Sequence, residues 1–224
     1  MHPQDKPKYP AGFSLVELLV VVAIIGMLAA LAMGGLSNTV RSSKLTNTAQ
    51  RVADQINMAR QTAASRNLPV EVRFYGLPYF GKTTGGAYIV RGMMLYIQNT
   101  PSNSVTASTN MVALSKPFYF PERVVGWGTA SPLMNSNVVN YVPYTATKEG
   151  FGEINKSTVY YYAFTINPNG RLSPSTITTS QNYVTLVNWE PDTPCNASTL
   201  PKIPKNCATI QVDPMTAKAT ILRP

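Results

Sequence analysis

Residues 12–26 read GFSLVELLVVVAIIG, an apolar run that carries one carboxylate, Glu17. No other ionisable residue occurs from Phe13 to Leu36. As a helix, residues 13–36 would extend about 36 Å, which is enough to cross a bilayer with some tilt. A core helix of a soluble protein rarely stays apolar on every face over this length. The run therefore predicts a transmembrane helix, although a charge at the centre of such a helix costs about 3 kcal/mol on insertion scales.

Two kinds of N-terminal processing fit this segment. A secretory signal would be cut after the small residues Ala30–Ala32. In the other scheme the cut falls after Gly12 and the helix is retained. That cut would leave a free amine on Phe13, one helical turn from Glu17, and a helix N-terminus favours a nearby carboxylate. The second scheme explains the glutamate and the first does not.

The charge of the chain is basic but dilute. The 224 residues include 19 Lys and Arg against 10 Asp and Glu, a formal charge of +9, yet only 13% of residues are charged. A basic balance without a dense basic cluster is typical of solubility rather than of nucleic-acid binding. Lys6 and Lys8 precede the apolar run, and Arg41 and Lys44 follow it. This near balance does not determine the orientation of the helix in a membrane.

The segment after Gly34–Gly35 has the pattern of an amphipathic helix. Its apolar residues recur mostly at three- and four-residue steps as far as Pro69. The positions are Val40, Leu45, Ala49, Val52, Ile56, Ala59 and Ala63. We expect residues 37–68 to continue the anchor helix.

The period then changes to two, which predicts strands. The predicted strands are 70–75, 87–98, 118–126, 158–166 and 183–189, with a closing hairpin over 208–222 that turns at Pro214–Ala217. Residues 167–170 (NPNG) predict a turn, and 99–110 and 131–150 predict polar loops. A long helix followed by strands, without alternation, indicates the α+β class with an antiparallel sheet.

Histidine and cysteine chemistry is limited in this chain. The single histidine, His2, lies in the segment that we expect to be removed, so a Ser/His or Cys/His hydrolase is excluded and no enzyme is expected. The two cysteines, Cys195 and Cys207, flank a short polar loop. In a cytosolic protein they would suggest a weak metal site, whereas in an oxidising compartment they indicate a disulfide. We predict the disulfide.

Three further motifs have ordinary structural explanations. GLPYFGKT (76–83) fits the phosphate-loop pattern, but the β-type run TGGAYIV follows it instead of a helix. We therefore expect an exposed hairpin connection and keep nucleotide binding as a remote alternative.

Calcium needs six or more oxygen ligands. The acidic pairs Glu149/Glu153 and Glu190/Asp192 offer two side chains each, so we expect solvated loop carboxylates and neither metal nor cofactor. The rings of Tyr160–Tyr162 suit core or interface packing better than base stacking.

The N-terminal stretch GFSLVELLVVVAIIGMLAALA resembles the class III signal of type IV prepilins and pseudopilins. The resemblance implies that a prepilin peptidase cuts between Gly12 and Phe13 and N-methylates Phe13. It also implies that Glu17 meets the free N-terminus of a neighbouring subunit in a filament. This would explain a carboxylate in an apolar helix.

The body resembles a narrower group. AQRVADQINMARQTAASRNLPVEVRFY (49–75) is similar to the helix-to-strand junction of H-type minor pseudopilins of type II secretion and of related minor pilins. The same stretch is even more similar to the D component of the Verru_Chthon cassette, a prepilin-like family of unknown role, which shares the residues ARQTA…PVEVRFY. The closing strands are also similar, although Thr216–Ala217–Lys218 stands where the group often has Gly-Arg. Residues 76–157 resemble no family.

These resemblances imply a pilin-like, single-pass protein of the bacterial inner membrane with a periplasmic globular domain. The expected organisation is a leader at 1–12, a transmembrane helix at 13–36, an amphipathic helix at 37–68 and a β-rich domain at 69–224. The expected partners are other pilin or pseudopilin subunits, prepilin peptidase and the inner-membrane assembly platform. Since some minor pilins capture DNA through basic residues near the C-terminus, DNA uptake is an alternative function. Its candidate contacts here are Lys202, Lys205, Lys218 and Arg223.

Overall fold

The computed structural model describes residues 13–78, 88–98, 111–127, 131–134, 139–143, 158–173, 182–189 and 206–222. Within these ranges, the side chains of 30–38, 78, 88, 134, 139–143 and 158–160 lie outside the description. The chain divides into two compact units, Met1–Arg41 and Ser42–Pro224. The described part consists of one long α-helix followed by antiparallel strands, which confirms the α+β class.

Helix α1 runs from Leu15 to Arg66. In its first part, the large apolar side chains of residues 15–28 are exposed, from 47% at Val21 to 80% at Leu15. Among the side chains that the structure describes, no helical stretch is both long and apolar enough to cross a membrane. The predicted span of residues 13–36 includes 30–36, whose side chains lie outside that set.

The second part of α1 is amphipathic, as its three- and four-residue period predicts. Six of the seven predicted positions are fully buried: Leu45, Ala49, Val52, Ile56, Ala59 and Ala63. The seventh position, Val40, is 46% exposed and belongs to the first compact unit, Met1–Arg41. The helix ends at Arg66, and Asn67 adopts a left-handed conformation with φ 52°. Asparagine tolerates this conformation, and Pro69 prevents the helix from continuing.

The described strands form one sheet of 11 strands. They are β1 (Val70–Pro78), β2 (Tyr88–Gln98), β3 (Met111–Ala113), β4 (Phe118–Tyr119), β5 (Val124–Gly126), β6 (Val139–Pro143), β7 (Thr158–Ile166), β8 (Leu172–Ser173), β9 (Tyr183–Asn188), β10 (Cys207–Val212) and β11 (Ala219–Leu222). The strand order is β11-β10-β9-β5-β2-β1-β7-β6, with β3 and β4 paired to β2 and β8 paired to β7. The predicted closing hairpin is present as β10 and β11, and Gly170 of the NPNG turn has φ 80°.

Two sequence predictions are wrong in this region. The strand predicted over 118–126 is divided into β4 and β5, because Arg123 takes a left-handed φ of 72° and Val124 N–H turns back to donate to the Pro121 carbonyl at 3.0 Å. The polar loop predicted over 131–150 contains a short 3-10 helix, Pro132–Met134, and β6. Strand β6 is specified by its pairing with β7, a long-range contact that local composition does not reveal. The loop predicted at 99–110, the carboxylates Glu149, Glu153, Glu190 and Asp192, and the Tyr160 side chain lie outside the description.

The two faces of the sheet differ in composition. The buried stripe of α1 belongs to one aliphatic and phenylalanine-rich cluster with residues such as Val72, Phe74 and Leu95. The alternate residues of the same strands point to the opposite face, where Tyr75, Tyr96 and their neighbours form a second buried cluster. Both faces are therefore buried in the centre of the sheet.

A charged pair lies within the second face. Arg73 and Glu71 are 3% and 7% exposed and form an ion pair. The Arg73 guanidinium stacks over Tyr96 at 4.1 Å and over Tyr161 at 4.4 Å from the ring centroids. Burial lowers the pKa of Arg73, but the Glu71 carboxylate and the adjoining tyrosines outweigh that effect and leave the pKa above its usual value. Arg73 therefore stays charged, and its charge is neutralised locally by Glu71.

Candidate N-terminal processing and assembly site

The N-terminal site is built around the first turn of α1. Ser14 directly precedes the first helical residue, Leu15. The Ser14 Oγ accepts a hydrogen bond from the Glu17 N–H at 3.2 Å, and the Ser14 carbonyl accepts one from the Leu18 N–H at 3.2 Å. This is the geometry of an N-cap residue, which satisfies an amide that lacks a partner in the helix.

Ser14 is not among the residues that the sequence predicted to be functional. A signal for it was nevertheless present, because Ser14 and Glu17 have the S-x-x-E spacing of a capping box. The cap also accounts for where the helix begins. Phe13 lies outside α1 and is exposed.

Glu17 lies in the first helical turn and is exposed. The helix dipole favours a carboxylate at this end of a helix. Apolar side chains such as Leu15, Val16 and Leu18 surround it in sequence and are themselves exposed. A carboxylate in such a setting can accept charge-assisted hydrogen bonds from an ammonium group that approaches from outside the chain. Gly12, the other residue of the predicted cleavage site, lies outside the described residues.

A family model described as the prokaryotic N-terminal methylation motif matches residues 7–33. This range includes the glycine, phenylalanine and glutamate of the predicted signal. The chain carries a type IV pilin-like class III signal. No curated protein and no solved structure matches the chain. The motif supports assignment as a membrane-anchored, pilin-like protein, and it covers only the N-terminal part of the chain.

The predicted disulfide is only partly covered by the structure. Cys207 begins β10, is half-buried and packs against the cluster that contains Trp127 and Trp189. Cys195 lies outside the described residues, so the pairing stays a prediction.

The structure describes one of the four candidate DNA contacts. Lys218 is exposed in the turn between β10 and β11, whereas Lys202, Lys205 and Arg223 lie outside the described residues. In the same turn, the Met215 N–H and the Thr216 hydroxyl donate to the Asp213 carboxylate and lower its pKa. Asp213 is therefore anionic at neutral pH beside the lysine, and this part of the turn offers no concentrated positive charge.

A cavity of about 340 Å³ adjoins this turn. Its described lining residues are Asn182, Gln211, Asp213, Pro214, Lys218 and Thr220. Asn182 is 2% exposed, and its side-chain amide donates to the Val212 carbonyl at 2.6 Å. The lining is polar and carries one cation and one carboxylate.

The structure describes only the start of the phosphate-loop pattern. Gly76–Pro78, the start of the phosphate-loop pattern, continues β1, and β2 begins at Tyr88 as its antiparallel partner. The next described element is therefore a strand, whereas a phosphate loop leads directly into a helix N-terminus. Residues 79–87 lie outside the description. Among the described residues, no three His, Cys, Asp or Glu side chains are grouped so that they could hold a metal ion.

Proposed function

We propose that this chain is a minor pilin- or pseudopilin-like structural subunit of a type II secretion or type IV pilus-like filament. The observation that carries the proposal is the N-terminal methylation motif at 7–33, which ends in the helix that has Glu17 in its first turn. In the proposal, prepilin peptidase cuts between Gly12 and Phe13 and methylates the new amine. Glu17 then pairs with the N-terminus of a neighbouring subunit.

The exposed apolar part of α1 supports a role in a membrane and then in a filament core. Its large side chains are exposed on all sides of the helix. Exposed apolar surface of this kind requires lipid or neighbouring subunits. We propose that it spans the bacterial inner membrane once, with the globular unit on the periplasmic side, and that an assembly platform transfers it into the filament.

A structural role also agrees with the chemistry of the globular unit. The only histidine, His2, would be lost with the leader. The buried charges that the structure describes, Glu71 and Arg73, are paired with each other within the sheet. DNA capture through basic residues such as Lys218 and nucleotide binding through residues 76–83 are the alternatives, and the N-terminal methylation motif points to neither activity.

Mass spectrometry of the N-terminus tests the proposal. The protein would be purified from the membranes of its native host, and its first residue and mass determined. We expect a chain that begins with methylated Phe13. A chain that begins at Met33, after the Ala30–Ala32 signal, would show an ordinary secreted protein. An intact Met1 would show that no peptidase processes the chain, and either result would overturn the proposal.

A further inference from the structure

We propose that the cavity beside the turn between β10 and β11 binds a small zwitterion, a free α-amino acid with a polar side chain. The carboxylate of this ligand pairs with the Lys218 ammonium. Its ammonium donates to the Asp213 carboxylate and to the Asn182 side-chain oxygen. The cavity volume of about 340 Å³ is at the lower end of the range for small-molecule sites. The inference is independent of the proposed function, because every residue that carries it belongs to the globular unit, Ser42–Pro224.

Four of the lining side chains project from one face of the closing hairpin. Gln211 and Thr220 are directly opposite each other in the β10–β11 register, and two residues closer to the turn the Asp213 N–H donates to the Lys218 carbonyl at 3.0 Å. Successive side chains of a strand alternate between its two faces, so these four residues share one face. All four are exposed, whereas Val212 between them is buried. This wall of the cavity is therefore a regular hydrogen-bonded element.

The two charges on this face are not paired with each other. The Asp213 carboxylate instead accepts hydrogen bonds from the Met215 N–H and the Thr216 hydroxyl, each at 2.9 Å. These bonds hold the pKa of Asp213 below its usual value, so the carboxylate is anionic at neutral pH and keeps further lone pairs free to accept. Among the described residues, the Lys218 ammonium has no ion-pair partner. A cation and an anion held apart in one small cavity match a ligand that carries both charges.

A buried polar atom in the wall of the same cavity also lacks a partner. Asn182 is 2% exposed, and its side-chain amide donates to the Val212 carbonyl at 2.6 Å while its backbone carbonyl accepts the Val212 N–H at 2.7 Å. These two bonds fix the direction of the amide, and its Oδ1 accepts no hydrogen bond from any described residue. A buried acceptor without a donor costs free energy. An ammonium has three donors, so one that binds in the cavity can satisfy Asn182 as well as Asp213.

The polarity of the lining indicates the kind of ligand. Pro214 is the one apolar residue among the described lining residues, and no aromatic ring belongs to that set. Recognition therefore depends on charge and hydrogen bonds rather than on apolar burial. The charges of Lys218 and Asp213 cancel, which favours a ligand without net charge over a simple anion. Gln211 and Thr220 offer further donors and acceptors to a polar side chain of the ligand.

Isothermal titration calorimetry of the full chain in detergent micelles tests the proposal, with L-serine and L-glutamine as probes. Two derivatives of serine remove one charge each, since L-serinamide lacks the carboxylate and N-acetyl-L-serine lacks the ammonium. We expect saturable binding of both amino acids. The Kd should be at least about ten-fold higher for either derivative, because losing a hydrogen bond to a charged group usually costs more than a tenfold change in affinity.

Two variants assign the charges of the site. Lys218→Met and Asp213→Asn should each raise the Kd for L-serine at least about ten-fold. The matched controls, Lys116→Met and Asp54→Asn, remove the same charges from exposed positions outside the cavity and should bind as the wild type does. Since Asp213 also ties the turn together, urea unfolding checks each variant. If Asp213→Asn does not fold, the comparison of Lys218→Met with Lys116→Met decides the result.

Three outcomes would overturn the inference. Absence of saturable binding of either amino acid up to about 10 mM would mean that the cavity takes no zwitterion. Equal binding of serine and its two derivatives would mean that the site does not recognise the two charges. An unchanged Kd in Lys218→Met, or the same loss in Lys116→Met, would place the binding elsewhere on the protein.

Discussion

The two parts of α1 have the same backbone conformation and opposite surroundings. Between residues 15 and 28 the large apolar side chains are 47–80% exposed and cover all sides of the helix. Between Leu45 and Ala63 the apolar side chains recur along one stripe and are fully buried in the cluster that includes the sheet. Charged residues of the second part, such as Arg51 and Arg60, are exposed.

This difference shows how the distribution of apolar residues around a helix indicates what covers it. One apolar stripe matches a single partner surface, which this chain supplies as its own sheet. Apolar residues on every side require surroundings on every side, which a single β-domain of the same chain cannot provide. In our proposal those surroundings are lipid before assembly and neighbouring helices afterwards.

The largest expected effect is the loss of subunit assembly when Glu17, the carboxylate in the first part of α1, is removed. A carboxylate in the second part should not matter for assembly. Glu17→Ala should reduce cross-linking to neighbouring subunits by at least about 100-fold, because an ammonium left unpaired in apolar surroundings costs about 3–5 kcal/mol. Membrane insertion, measured by carbonate extraction, should be unchanged. Asp54→Ala is the matched control, since Asp54 is an exposed carboxylate of the same helix that accepts a hydrogen bond from Gln50 at 3.0 Å. Equal losses in the two variants would contradict a specific role of Glu17.

The next effect concerns stability. Ile56→Ala should lower the free energy of unfolding by about 2–5 kcal/mol, because Ile56 is fully buried and its removal leaves a cavity. Ile25→Ala makes the same change at a side chain that is 59% exposed, and should change the free energy by less than about 0.5 kcal/mol. Urea unfolding of the full chain in detergent, followed by the fluorescence of Trp127 and Trp189, measures both. A similar loss in Ile25→Ala would mean that the first part of α1 packs on the globular unit.

A smaller effect is expected at the border of the buried stripe. The Arg51 guanidinium lies 4.2 Å from the ring centroid of Phe118. An exposed cation–π contact contributes about 0.5–1 kcal/mol, so Arg51→Ala should lower the unfolding free energy by about that amount. Arg60→Ala removes the same charge from an exposed site on the helix and should have almost no effect in the same urea experiment. If both variants lose stability equally, the loss reflects helix propensity or net charge.

The smallest effect is expected at Ala217, which belongs to the same core cluster as the buried stripe. Ala217 is fully buried and has a left-handed φ of 51°. Ala217→Gly would relieve about 1 kcal/mol of backbone strain but would lose about 0.8 kcal/mol from burial of the methyl group. We therefore expect the unfolding free energy to change by less than about 0.5 kcal/mol. A clear gain in stability would show that backbone strain outweighs packing in this turn.

The sequence predicted the regular elements better than the short ones. The helical stripe from Leu45 to Ala63 and the strands around 70–75 and 183–189 have strong periodicity, and the structure contains them. Strands β3, β4 and β8 have two or three residues each, too few for a period to be recognised. They exist because β2 and β7 offer them backbone partners. At the N-terminal site, the motif identified Glu17 from the sequence, whereas the cap at Ser14 became evident from its hydrogen bond.

The sequence by itself determined the N-terminal signal, the α+β class and the two kinds of helical surface. These depend on residues close together in the chain, whose spacing expresses the 3.6-residue turn or the two-residue strand period. Only the tertiary structure decided that Arg123 divides a predicted strand and that Glu71 and Arg73 are buried. Alternation along β1 places Glu71 and Arg73 on the face opposite Val70 and Val72, but it does not say whether that face is covered. Covering depends on contacts between distant parts of the chain, such as the stacking of Tyr96 and Tyr161 on Arg73.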